Sequence, residues 1–123
     1  MGAIKSYRDL EVWQKAMRLA EMCYEKTASF PARETYGLVS QIRRAAVSVP
    51  SNIAEGHNRR TLQAYLNHLS MALGSQAEVE TQVELACRLK LLPEQPARDI
   101  LSMAEQVGRM LHALIASLER KEK

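Results

Sequence analysis

Aromatic residues are scarce in this chain, one Trp, four Tyr and one Phe, or 5% of 123 residues. The apolar content is instead mostly Ala, Leu, Val and Met. The β-branched and aromatic enrichment expected of a sheet is missing, so helix is favoured over strand. Only two cysteines, Cys23 and Cys87, occur. That is no disulfide framework, and each lies within an apolar helical pattern as a small buried thiol does. No stretch approaches the length of a membrane-spanning helix and no signal peptide opens the chain, so a cytoplasmic protein with no membrane partner is expected. The opening MGAIKS fits the N-myristoylation pattern at Gly2 and Ser6, but so short a pattern recurs by chance.

What is present fits one helical domain, residues 1–123. A first segment is expected from about Ser6 to Ser29. Leu10, Trp13, Met17, Ala20 and Tyr24 recur there at helical spacing, flanked by Val12, Ala16, Leu19 and Cys23. Phe30-Pro31 ends it. A second segment starts near Glu34 and ends near Gly56–Asn58, with Leu38, Ile42, Ala46, Val49 and Ile53 on one face. Thr61 is the N-cap expected for a third segment running to about Leu92, with a stripe of Leu62, Leu66, Leu69, Leu73, Val79, Val83 and Ala86. After the turn Leu92–Pro96, Ile100, Met103, Val107, Leu111, Leu114 and Leu118 form the inward face of a fourth, whose tail Glu119–Lys123 is expected to fray. Short connections make neighbouring helices antiparallel. The fold class is therefore all-α, an up-down-up-down four-helix bundle with its second helix kinked near Pro50.

Residues 41–56, QIRRAAVSVPSNIAEG, set local propensity against periodicity. They read as helix, yet an interior proline loses a backbone hydrogen bond at a cost of about 3 kcal/mol. Such conflicts mark functional or strained sites. Pro50, Asn52, Glu55 and Gly56 form the structural motif here. Asn52 and Glu55 are suited to satisfying groups freed by Pro50 or to pairing with an arginine, and Gly56 to a left-handed helix end.

The net charge of +3 is uneven, with ten basic and six acidic residues in 1–60 and no Lys or Arg from Thr61 through Cys87. A helix so depleted of charge resembles the core of an interface, so the third segment is the candidate for contact with another subunit. Arg43-Arg44 and Arg59-Arg60 bracket the second segment, and Lys15 and Arg18 lie on the first. Grouped guanidinium groups suit phosphate, which makes these six residues the candidate nucleic-acid contacts. The alternative is an ordinary solvated face, or ion pairs that serve the assembly.

Catalytic and metal signatures are missing. His57, His68 and His112 fall in three different segments, and no Glu-x-x-His pair, HExxH, phosphate loop or nucleophile elbow occurs. An enzyme, a metal site and a cofactor are not expected.

Leu10–Ala20 (LEVWQKAMRLA), Phe30-Pro31, Tyr36–Gly56 (YGLVSQIRRAAVSVPSNIAEG) and His68–Gln82 (HLSMALGSQAEVETQ) together resemble the four-helix-bundle proteins encoded by intervening sequences of 23S rRNA genes. The resemblance implies a bacterial antiparallel bundle that assembles into a homopentamer. It also implies kinship with the accessory variability determinant of diversity-generating retroelements, a basic pentamer that binds nucleic acid and a reverse transcriptase. RNA or DNA and a protein partner are thus the implied ligands. A scaffold ring that binds no nucleic acid is the alternative.

Overall fold

The computed structural model describes residues 3–122, and among these it contains four α-helices and no strand: α1 (Glu11–Thr27), α2 (Leu38–His57), α3 (Leu62–Arg88) and α4 (Glu94–Glu122). Gly2 of the myristoylation pattern and Lys123 of the tail lie outside the described residues. Each helix touches its neighbours in the order α1, α2, α3, α4 and back to α1, and no diagonal pair touches. That is a square bundle around one core.

Local chemistry sets the boundaries. Ser6 and Asp9 form a reciprocal capping box on a short 3-10 turn, Tyr7–Asp9, and Leu10 then breaks the helical path. The first helix therefore starts at Glu11, later than its periodicity suggested. The Asp9 carboxylate accepts the backbone N–H groups of Lys5 and Ser6, which holds its pKa below the usual value. A second 3-10 turn, Ala32–Glu34, delays α2 to Leu38. At Thr61 the side chain accepts the Ala64 N–H at 3.1 Å, so this residue is the N-cap of α3 as expected.

Helix α3 ends at Arg88 rather than Leu92. Leu91 N–H reaches Ala86 O at 2.9 Å and Lys90 N–H reaches Cys87 O at 3.0 Å, the bonding of a Schellman motif. Lys90 takes the left-handed position that glycine usually fills, at φ 63°. The expected fraying of the tail is corrected as well: α4 stays helical through Glu122.

The core consists of fully buried Leu19, Ile42, Val49, Ile53, Leu69, Val79, Val83, Ile100, Val107 and Leu111. Each such side chain contributes roughly 1.5–3 kcal/mol of burial. The first helix departs from expectation. Val12, Ala16, Leu19 and Cys23 face the core, whereas Met17 and Tyr24 of the other stripe are exposed. The two stripes are offset by one residue, about 100° around a helix, and packing selects the flanking one. Burial also pushes the Cys23 thiol pKa up to about 12.

Candidate nucleic-acid interface

Helix α2 runs without interruption through Pro50, which is itself buried. Its flank toward α3 carries Gln41, Arg44, Ser48, Asn52, Glu55 and, just past its end, Arg59. These positions recur every three or four residues and form one polar stripe. From Arg44 to Arg59 the stripe spans about 22 Å at 1.5 Å per residue.

The middle of the stripe is a hydrogen-bonded chain. The Asn52 amide donates to Ser48 O at 2.9 Å and to Ser48 Oγ at 3.0 Å. Its oxygen is then the acceptor for His68 Nδ1, 3.1 Å away, which makes that nitrogen the protonated one. Glu55 Oε2 lies 4.0 Å from the same nitrogen and 3.9 Å from Arg59. On the other side, Ser75 Oγ donates to Ser48 Oγ at 2.8 Å. The Asn52 amide is thus spent on Ser48, not on Ala46 O, the carbonyl that Pro50 leaves without its helical donor. Glu55 pairs with an arginine of its own chain.

Gly56 differs from expectation. No glycine among the described residues has positive φ, and Gly56 is a buried helical residue. A Cβ there would lie 2.7 Å from His68 Cβ and 3.1 Å from the Tyr65 ring. Its role is close approach of α2 to α3, not a left-handed end. Beside it His57 meets Tyr65 edge to face at 5.7 Å, and burial raises the Tyr65 pKa.

The six candidate basic residues do not converge on one patch. Arg43 turns back onto α1: Nε donates to Thr27 Oγ1 at 3.0 Å, Nη2 to Tyr24 O at 3.3 Å, and the guanidinium lies 4.5 Å above the Tyr24 ring. Arg18 pairs with Glu21 and Glu25, each at 3.5 Å. Arg59 is held by Glu55. Arg44, Arg60 and Lys15 make no ion pair among the described residues. Arg44 borders a cleft of about 420 Å³ with Gln41, Ser48, Ser75, Glu78 and Gln82, where the buried Gln82 Oε1 has no donor.

The sequence did not reveal His68, Ser48 and Ser75 as members of the polar chain. A weak signal existed: Ser48, Asn52 and Glu55 share one face of α2, while His68 and Ser75 lie seven residues apart on α3. Among the described residues no group of three or more His, Cys, Asp or Glu side chains is placed to hold a metal. No helix among them is long and apolar enough to cross a membrane.

With four helices in this arrangement and the Arg43–Gly56 segment at its centre, residues 8–113 match the 23S rRNA-intervening sequence protein family. The chain belongs to that family. A crystal structure of a Bacteroides thetaiotaomicron protein of unknown function, from the S23 ribosomal protein family, superposes with a TM-score of 0.80. It is 21% identical, and the match covers 85% of this chain and 95% of that one. At that identity the likeness speaks for the shared fold. No curated protein matches. Within this intervening-sequence protein, the polar stripe coincides with the most distinctive segment of its sequence.

Proposed function

We propose that this intervening-sequence protein is a non-catalytic, self-associating bundle that binds RNA or DNA through arginines on the α2–α3 flank. The observation that carries this reading is the polar stripe, with exposed Arg44 near one end and Arg59 and Arg60 at the other. Guanidinium groups spaced along one flank of the bundle can follow successive phosphates, while the Ser and Gln groups between them offer hydrogen bonds without demanding a sequence. Arg44 and Arg60 make the direct contacts in this reading, and Arg59 contributes once Glu55 yields it. Arg43 and Arg18 act mainly within the chain.

The homopentamer implied by the family resemblance would repeat the stripe around a ring and multiply its weak affinity. A second reading, a scaffold for a protein partner such as a reverse transcriptase, is favoured by one observation. Three of the six aromatic residues, Tyr7, Trp13 and Tyr24, line an open groove on the α1–α2 flank.

Fluorescence anisotropy with a short mixed-sequence RNA, over a series of salt concentrations, tests the first reading. Arg44→Ala combined with Arg60→Ala is expected to weaken binding and to lower the slope of log affinity against log salt by about 1.5. An affinity and slope unchanged by the double substitution would leave the scaffold reading in its place.

A further inference from the structure

The cleft beside Arg44 is the part of the α2–α3 flank that the polar chain leaves open. Asn52 meets His68 and Ser48 meets Ser75, so the two helices run antiparallel, and the Ser48–Ser75 bond closes the seam at its own level. One turn farther on, Arg44 stands level with Glu78, and one turn beyond that Gln41 stands level with Gln82. These side chains enclose about 420 Å³ over the buried Ala45. That volume is within the range of small-ligand clefts, roughly 300–1,000 Å³. From Gln41 to Ser48 the cleft is about 10 Å long at 1.5 Å per residue.

Opposite charges line this cleft without pairing. Arg44 and Glu78 are both exposed, and neither belongs to an ion pair among the described residues. On α4, by contrast, Arg98 closes on Glu94 and Arg109 on Glu105. A carboxylate repels phosphate, so Glu78 does not suit a site made for the backbone of a strand alone. What suits the cleft is a flat, neutral group that accepts hydrogen bonds on the Arg44 side and donates them on the Glu78 side. Guanine meets that description. Its O6 and N7 accept side by side, as a guanidinium fork requires, and its N1–H and N2–H donate side by side, as the two oxygens of a carboxylate require. No other common base carries both pairs.

We infer that the α2–α3 cleft takes the edge of one unpaired guanine, with Glu78 accepting N1–H and N2–H and Arg44 donating to O6 and N7. The inference rests on the nucleic-acid binding proposed above and names the part of the strand that this flank reads. In a duplex the same N–H groups are spent on cytosine, so the ligand is a single-stranded segment whose base can turn out from its neighbours. The guanidinium has donors to spare, so Arg44 holds the base by one edge and keeps another for a phosphate. Arg59 and Arg60, about 22 Å along the flank, serve the backbone beyond the base.

Fluorescence anisotropy with short uridine strands that differ at one central residue tests the site, with folding checked by circular dichroism. The parent protein is expected to bind the guanosine strand about tenfold tighter than the all-uridine or the adenosine strand, the discrimination of one bidentate base contact. Inosine, which lacks N2–H, should fall between guanosine and adenosine. Glu78→Gln, at an exposed position, should bind all the strands alike and hold the uridine strand at least as tightly as the parent does. Free guanosine monophosphate should compete only at a much higher concentration than the guanosine strand, because it lacks the neighbouring phosphates.

A Glu78→Gln protein that gains affinity for every strand and keeps the guanosine preference overturns the assignment. Guanosine monophosphate as potent as the strand overturns it too, by making the cleft a mononucleotide site. Equal binding of all strands by the parent removes the guanine site and leaves the arginine reading standing. A parent that binds none of them removes the nucleic-acid binding on which the site depends.

Discussion

The two flanks of α2 are built from opposite chemistry. Toward α3 the helix presents Ser48, Asn52, Glu55 and Gly56, and the facing helix answers with His68 and Ser75 at hydrogen-bond distance. Toward α1 it presents Val47, Pro50, Ser51 and Ala54, which border an open apolar groove. A single helix therefore carries one flank whose central polar groups find partners within the chain and one whose apolar groups do not. Polar groups that find partners inside the monomer specify how two helices meet. Apolar groups left at 40–46% exposure keep their contact with water instead.

The difference can be broken most strongly at Gly56. Val in its place puts a branched side chain where even a Cβ would sit 2.7 Å from His68 Cβ. Neither helix can yield without separating the polar chain, so a loss of about 3 kcal/mol is expected in urea-induced unfolding. A loss below about 0.5 kcal/mol would mean that α2 and α3 are not held at this spacing.

Asn52→Ala is a smaller lesion on the same flank. It removes one acceptor and one amide donor, leaving His68 Nδ1 and the Ser48 oxygens to find new partners. The expected cost is about 2 kcal/mol. Asn52→Asp should leave the His68 contact in place and lose only the bonds to Ser48. Comparing the two unfolding midpoints separates the two halves of the chain.

On the opposite flank Val47→Ala should change stability by less than about 0.5 kcal/mol in protein too dilute to assemble. Equal sensitivity of Val47 and Asn52 in the dilute protein would erase the contrast between the flanks.

Much of the fold is legible from periodicity and caps. The Thr61 cap, the stop at Phe30-Pro31 and the four apolar stripes place all four helices, because these signals act within one or two turns. The late starts of the first and second helices both trace to 3-10 turns. The turn at Tyr7–Asp9 is stabilised by a box of Ser6 and Asp9 that a stripe of apolar residues does not reveal. The site was legible only in part. Arg43 and Arg44 are adjacent in the chain, yet successive positions on a helix point about 100° apart. One consequently returns to Thr27 and Tyr24 on α1, while the other opens onto a cleft with Ser75 and Glu78 on α3.

What the sequence determined by itself is the helical class, the number and order of helices, and the family to which the chain belongs. Those depend on local propensity and on spacing, which are properties of consecutive residues. The tertiary structure alone decided which of two stripes on α1 is core, because periodicity gives relative angles around a helix and only neighbours supply the absolute one. It also decided that Gly56 serves close approach and that Asn52 answers His68. Those roles depend on atoms brought within a few ångströms from positions up to 16 residues apart.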